Sequence, residues 1–330
     1  MTIRLFINGF GRIGRTILRQ VLRTRQDTGI AVAGINDIAP LDSCAYLFRY
    51  DSVFGPFAGD VATERSALVI DGRRIPFSRT PDISALDLGA VDVVLECTGT
   101  ATTPDVAARG LAAGARNVLI SGPSDAAERT VVPGANDETL GAARIVSNAS
   151  CTTNAIAPLL RALDGALGIA RGHITTIHCY TGSQPTVDAP GPSFERSRAA
   201  AVSMVPTSTS AAKQIARILP DMAGRLSVAA VRVPCISVSA VDAVLQLNAW
   251  PEAPVNDLLT ELFDGSGVIG MTHDPCVSSD LRGRPESLIL ALRETQTVGH
   301  NQVRLFGWYD NEWGFSARMI EMAQSMASRQ

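Results

Sequence analysis

The sequence predicts an α/β chain: a doubly wound parallel sheet in its first half, then a separate α+β domain. Three observations predict this. A short apolar run over residues 3 to 8 ends in Gly9-Phe10-Gly11-Arg12-Ile13-Gly14, after which Ile13, Ile17, Leu18, Val21 and Leu22 recur at helical spacing. Further short apolar runs alternate with Ala-rich helical stretches, the pattern of parallel strands covered on both faces. After Ser150 the texture changes to β-branched extended segments and a Pro- and Gly-rich loop.

The elements follow in order. Residues 3 to 8 read as a strand, the glycines as a tight turn and the residues after them as a helix. A second strand, Ile30 to Ile35, ends at Asn36-Asp37 and completes a βαβ unit of Rossmann type. Strands are expected at Val91 to Leu95, Val118 to Ile120 and Ile145 to Val146, with a helical stretch over 104 to 114. A helix is expected over Ala155 to Leu163, kinked by Pro158. His173 to Thr181 reads as extended, and residues 182 to 192 as an irregular loop punctuated by Gly182, Pro185, Pro190, Gly191 and Pro192. Arg196 to Lys213 is Ala-rich and polar. Val228 to Val233 and Val238 to Leu247 read as strands joined through Pro234. The expected division is a dinucleotide-binding domain over 1–150 and a catalytic domain over 151–314, with a terminal helix over 315–330 packing back on the first.

Composition narrows the function classes. The chain has 330 residues, 46% hydrophobic and 18% charged, enough for two domains of ordinary size and incompatible with wholesale disorder. Its 29 Lys+Arg against 32 Asp+Glu leave a net charge of −3, which offers no footprint for nucleic acid or an anionic membrane. No N-terminal run pairs a basic flank with an apolar stretch, and no segment reaches the roughly 18 apolar residues that a span needs, so the expectation is a soluble, cytoplasmic protein. Cys44, Cys97, Cys151, Cys179, Cys235 and Cys276 form no CxxC pair, which predicts reduced thiols and no metal site.

A GxGxxG pattern alone is a weak signal. Here it follows a strand, opens a helix and has an acid at the end of the second strand, the context of a dinucleotide site. Gly9, Gly11 and Gly14 would let the backbone approach a pyrophosphate at the helix N-terminus, where unpaired N–H groups favour anionic oxygen. Asp37 would accept hydrogen bonds from the adenosine ribose and repel a 2′-phosphate, which favours NAD over NADP.

Ser147 to Asn154 (SNASCTTN) lies between a strand and a helix, placing Cys151 at a helix N-terminus. The field there favours thiolate, the form that attacks carbonyl carbon, with the hydroxyls of Ser150 and Thr152 beside it. His178 is the candidate partner that activates the thiol and takes a proton. His173, His273 and His300 compete with it on sequence grounds.

These motifs resemble one family throughout the chain, phosphorylating glyceraldehyde-3-phosphate dehydrogenase. The matches run through Asn8 to Gly14, Tyr50 to Val53, Ser147 to Asn154, His178 to Thr181, Pro206 to Thr209, Arg232 to Pro234, Ser278 to Asp280 and Trp308 to Glu312. The resemblance implies that Cys151 attacks the aldehyde, that His178 takes a proton as hydride passes to NAD, and that inorganic phosphate cleaves the resulting thioester. It implies that Thr181 and Arg232 hold the substrate's phosphate, while Ser150, Thr152, Arg196, Thr209 and Ser210 surround the attacking phosphate. It adds Arg12, Ile13, Arg79, Thr98, Gly99, Ser121 and Asn311 to the cofactor site, the last near the nicotinamide amide. It also implies a homotetramer with residues 180 to 203 crossing a subunit interface.

Several positions depart from the family's usual pattern. Ser210 stands in place of a glycine, a costly exchange if the backbone there requires a positive φ. Ala101 replaces a phenylalanine expected near the adenine, Phe315 a tyrosine beside the nicotinamide and Ala189 a leucine near the ribose. Ala155 replaces a cysteine one helical turn after the nucleophile, removing a resolving thiol. The expected activity is the reversible oxidation of glyceraldehyde 3-phosphate in central carbon metabolism. The enzymatic alternatives are erythrose-4-phosphate oxidation, which Ile236 keeps open and Pro206 to Thr209 disfavour, or another phosphorylated aldehyde. The non-enzymatic one is a thiol redox sensor or binding protein, and sensing has no use for intact phosphate-binding groups.

Overall fold

The structure is a computed structural model that describes residues 2 to 25 and 29 to 329. It forms two compact units, one of residues 1–131, 137–149 and 316–330, the other of residues 132–136 and 150–315. The segment 132–136 thus groups with the second unit, a detail absent from the expected division at residue 150.

Strands β1 (Ile3–Asn8), β2 (Ile30–Asn36), β3 (Val61–Glu64), β4 (Ala67–Ile70), β5 (Arg73–Ser78), β6 (Val93–Glu96), β7 (Asn117–Ile120), β8 (Arg129–Thr130) and β9 (Ile145–Ser147) build the sheet of the first unit. Their spatial order is β3-β4-β5-β2-β1-β6-β7-β9-β8. The pairs from β5 to β8 are parallel, as short, doubly covered apolar strands predict. The β3-β4-β5 ribbon is antiparallel and was not anticipated. Helices α1 (Arg12–Arg23), α2 (Leu41–Arg49), α3 (Pro104–Ala107) and α4 (Arg109–Ala112) follow the strands. Helix α1 buries Ile17, Leu18, Val21 and Leu22, while Leu5 and Ile7 of β1 are wholly buried. The stretch expected as one helix over 104–114 is two short ones meeting at Ala108. The strand order reverses between β1 and β6, the topological switch point at which ligands bind in such sheets.

The second unit opens with α5 (Cys151–Leu167), unbroken across Pro158 and longer than expected. Strands β10 (Ile169–Cys179), β11 (Val205–Thr207), β12 (Leu226–Val233), β13 (Ser239–Leu247), β14 (Ile269–Thr272), β15 (Leu288–Ala291), β16 (Gln296–Val298) and β17 (Gln302–Tyr309) form a mixed sheet, with helices α6 (Ala211–Ile218) and α7 (Val255–Phe263). Its order is β11-β12-β10-β13-β17-β15-β14, with β16 on β17. Helix α5 packs on β10, β13, β14 and β15, and α6 packs on α5 and β12. Helix α8 (Trp313–Ser328) starts two residues before the expected 315, and from Ser316 onward it belongs to the first unit. Asp310 holds its start by accepting from the Glu312 and Trp313 amides at 3.0 and 2.8 Å.

Candidate active site

At the switch point of the first unit, Gly9 has φ +95°, and a Cβ there would lie 2.7 Å from the Cys97 carbonyl carbon and the Thr98 nitrogen. Only glycine fits. A Cβ on Gly14 would sit 2.2 Å from the Gly9 oxygen, so this glycine lets α1 close onto the turn. Gly11 is different: a Cβ there meets nothing within 4 Å, and its space opens into a cavity of about 590 Å³. That cavity is lined by Asn8, Gly9, Gly11, Asn36, Asp37, Thr80 and Thr98, among others. A glycine turn beside open space at a helix start is a cradle for a dinucleotide pyrophosphate.

Asp37 accepts from the Phe10 amide at 2.6 Å and from the Ala39 amide at 2.8 Å, so it braces the glycine turn as well as facing the cavity. Arg12, at the start of α1, pairs with Asp51 and lies 5.5 Å over the Phe54 ring. Burial works against the Asp51 carboxylate, but the Phe54 and Val53 amides and Arg12 hold its pKa below the ordinary value. Ile13 is half-buried on the same turn. Arg79 is exposed and donates to the Ile38 carbonyl at 3.1 and 3.0 Å. Thr98 donates its amide to Glu96 at 3.0 Å, Gly99 takes φ +74°, and the Ser121 amide donates to the Glu96 carbonyl at 3.0 Å.

Sequence reasoning missed Glu96. Its buried carboxylate accepts from Asn8 Nδ2 at 2.5 Å and from Thr98, and Asn8 Oδ1 in turn accepts from Asn36 Nδ2 at 2.8 Å. This network ties together the ends of β1, β2 and β6. Ala101 lies in the apolar core rather than on the cavity wall, so the missing phenylalanine ring leaves a packed position.

The chain enters α5 of the second unit from Ala149, the last residue of the preceding first-unit segment, which is fully buried and, though not glycine, takes φ +53°. Such strain persists only where the surroundings enforce it, as at sites that must present one side chain. Ser150 caps the helix, its Oγ accepting from the Thr153 amide at 3.1 Å. Cys151 is therefore the first helical residue, and its Sγ lies 3.6 Å from His178 Nε2. Topology explains the meeting. Helix α5 advances about 1.5 Å per residue, the Gly168 turn (φ +67°) reverses the chain, and β10 returns about 3.3 Å per residue. The returning strand thus carries position 178 back to the end of α5 at which position 151 lies.

His178 donates through Nδ1 to the Cys179 carbonyl at 2.7 Å, which leaves the Nε2 lone pair toward Sγ. Arg232 is the cross-strand neighbour of His178 on β12. Its Nη1 donates to the Cys179 carbonyl at 2.9 Å and to Thr181 Oγ1 at 3.2 Å, and lies 3.3 Å from His178 Nδ1. Burial, then the Arg232 charge, push the imidazole down to about 4 against the Cys179 carbonyl. Burial also raises the Cys151 thiol, with Arg232, Thr152 and the thiol's own amide opposing. Burial thus opposes the thiolate that the helix start favours, while Arg232 and the local hydrogen bonds support it.

Thr152 is buried, and its hydroxyl is bonded to Tyr309 Oη at 2.9 Å, with Thr176 Oγ1 on the same oxygen at 2.7 Å. Arg196 and Thr209 belong to a second polar cluster. Arg196 donates to Thr207 Oγ1 at 2.7 Å and to the Ser208 carbonyl at 3.4 Å, and Thr209 Oγ1 accepts from the Ala211 amide at 3.1 Å. Ser210 is the N-cap of α6 with φ −83°, so its replacement of glycine costs no backbone strain. Arg198, two residues on from Arg196, pairs with Asp188 at 2.9 Å. Asn311 is buried, its Oδ1 accepting from the Cys179 thiol at 3.1 Å and the Ser239 hydroxyl at 3.4 Å. Among the described residues no cluster of three His, Cys, Asp or Glu side chains is placed to hold a metal.

A glycine turn beside a cavity in one unit and a Cys/His pair beside an arginine in the other fit the class of NAD-dependent oxidoreductases. Residues 3–104 match the family model described as the glyceraldehyde 3-phosphate dehydrogenase NAD binding domain, and residues 150–311 match that of its C-terminal domain. The chain belongs to the glyceraldehyde-3-phosphate dehydrogenase family. It is 46% identical to glyceraldehyde-3-phosphate dehydrogenase of Pseudomonas aeruginosa over 99% of each chain. It is 43% identical to that of Xanthobacter flavus over 99% of each chain. It is 38% identical to glyceraldehyde-3-phosphate dehydrogenase 1 of Bacillus subtilis over 100% of this chain and 99% of the relative.

Proposed function

We propose that the chain catalyses the reversible, phosphorylating oxidation of glyceraldehyde 3-phosphate to 1,3-bisphosphoglycerate. The observation that carries this reading is the 3.6 Å approach of Cys151 Sγ to His178 Nε2 beside Arg232 and Thr181. Cys151 adds its thiol across the aldehyde carbonyl: the S–C bond forms, and Nε2 relays the thiol proton to the oxygen. NAD, held by Gly9, Gly11, Arg12 and Asp37 with help from Ile13, Gly14, Arg79, Thr98, Gly99 and Ser121, supplies the hydride acceptor. Nε2 takes the hydroxyl proton as the carbonyl reforms, leaving a thioester on Cys151. An oxygen of inorganic phosphate then attacks the acyl carbon, the C–S bond breaks, and Nε2 returns the proton to sulfur.

Arg232 and Thr181 hold the phosphate already on the substrate. Arg196, Thr209, Ser210, Ser150 and Thr152 receive the attacking one. Charge-assisted bonds from arginine suit tetrahedral oxyanions in a chain whose net charge is −3. The working form is a cytoplasmic homotetramer. Support comes from the segment around residues 180 to 203, where Phe194 is 94% exposed, Val202 80%, Met204 76% and Val187 72%, an apolar display suited to a partner subunit.

The test is NADH formation from glyceraldehyde 3-phosphate with phosphate added or withheld, and erythrose 4-phosphate in parallel. Phosphate-dependent turnover of the triose is expected. Phosphate-independent oxidation favouring the tetrose would transfer the assignment to erythrose-4-phosphate oxidation.

A further inference from the structure

Beside the reacting pair lies a second buried thiol that the chemistry above does not use. Cys179 ends β10, is 1% exposed, and points its Sγ at Asn311 Oδ1 at 3.1 Å. Ser239, at the start of β13, points its hydroxyl at the same oxygen at 3.4 Å, while its Oγ accepts from the Cys179 amide at 3.1 Å. Asn311 is itself only 7% exposed, and among the described residues its Nδ2 has no acceptor. Two donors therefore converge on one end of a buried carboxamide and leave its N–H₂ end without a partner. That N–H₂ end is not sealed in the interior, so it is open to an acceptor on a ligand.

The chain accepts strain to build this arrangement. Val238, immediately before Ser239, is β-branched and buried, yet it takes φ +63°. Beta-branched residues avoid this region, and the surrounding structure must enforce it.

We propose that Cys179 and Ser239 are positioning residues that lock the Asn311 carboxamide with Nδ2 turned outward as a donor to the carboxamide oxygen of nicotinamide. The inference rests on the proposed NAD-dependent function and on the place beside the nicotinamide amide that the family resemblance implies for Asn311. A thiol is a weak donor, so this chain holds the amide less firmly on one side than a hydroxyl would.

Binding, rather than turnover, tests it. Dissociation constants for NAD and for ADP-ribose, which shares every group except the nicotinamide, are measured by calorimetry on the wild type, Cys179→Ala, Cys179→Ser and Asn311→Ala. Cys179→Ala is expected to weaken NAD three- to tenfold and leave ADP-ribose unchanged, and Cys179→Ser to restore or improve NAD binding. Equal weakening of both ligands in Cys179→Ala, or no weakening of either, would overturn the positioning role. An unchanged NAD to ADP-ribose ratio in Asn311→Ala would instead remove the reading of Asn311 on which the proposal rests. ADP-ribose binding also reports whether each variant is folded.

Discussion

The carbonyl oxygen of Cys179 accepts from His178 Nδ1 at 2.7 Å, and the same oxygen accepts from Arg232 Nη1 at 2.9 Å. One backbone atom thus fixes the tautomer of the base and brings a permanent positive charge beside its ring. The charge disfavours imidazolium, while the bond aims the free nitrogen at Cys151. His178 is consequently held neutral in the physiological range, with its free nitrogen oriented toward Cys151.

Replacing His178 with Gln should lower kcat by about a hundred- to ten-thousand-fold, the ordinary contribution of a positioned base. The same replacement should alter acid stability. The folded-state value of about 4 lies below the ordinary 6.5, so between the two the unfolded chain binds a proton that the folded chain refuses. Stability is therefore lost as pH falls through this window and levels off below it. Urea midpoints at about pH 7 and about pH 5 should fall further apart for the wild type than for His178→Gln. An equal separation would show that the imidazole is not buried as a neutral group.

Arg232→Gln removes the charge that depresses both members of the pair. The His178 imidazole should then titrate higher, and the Cys151 thiol should also rise, because Arg232 is the foremost influence opposing its desolvation. The pH dependence of Cys151 alkylation by iodoacetamide measures the thiol directly. A thiol that titrates lower in the variant would contradict this account.

The glycine turn gives a paired expectation. Gly9→Ala places a methyl group 2.7 Å from backbone atoms of Cys97 and Thr98 at a φ of +95°, so it should destabilise the fold by about 2 kcal/mol or more and abolish NAD binding. Gly11→Ala meets no protein atom within 4 Å and should leave the melting temperature nearly unchanged while weakening NAD binding, because its methyl group enters the cavity. Thermal melts and NAD titration separate the two. Normal NAD affinity in Gly11→Ala would mean that the pyrophosphate lies elsewhere.

The first βαβ unit was legible because its glycine spacing, helical period and terminal acid agree with one another. The β3-β4-β5 ribbon was not: β3 reads Val-Ala-Thr-Glu with three exposed residues, and β5 opens on two arginines, so neither shows an apolar face. In β17 the buried residues alternate correctly, but Phe306 and Trp308 occupy the other face and erase the contrast. For the site, Cys151 announced itself through its flanking hydroxyls and helix start. Its pairing with His178 depends on the length of α5 and on the Gly168 reversal, quantities no local motif encodes. Glu96, Cys179 and Ser239 gave no signal, since a buried polar residue inside a short apolar strand looks like a surface residue until its partners are known. The left-handed Ala149 was equally invisible, because a residue type says little about φ when neighbours impose it.

Tyr309 makes the last case. Its hydroxyl joins Thr152 on α5 to Thr176 on β10, at 2.9 and 2.7 Å, and its ring meets His178 edge-on at 5.9 Å. It thereby links the helix that carries Cys151 to the strand that carries His178. Tyr309→Phe keeps the ring contact but strands two buried threonine hydroxyls, an expected loss of about 1–3 kcal/mol. Because Cys151 and His178 are held in register through this bridge, kcat should fall while substrate KM changes little, and the loss should be smaller than in His178→Gln. Denaturant midpoints and steady-state kinetics on the same variant give both numbers. A stability loss with unchanged kcat would confine Tyr309 to packing and leave the 3.6 Å approach to be set by α5 and β10 alone.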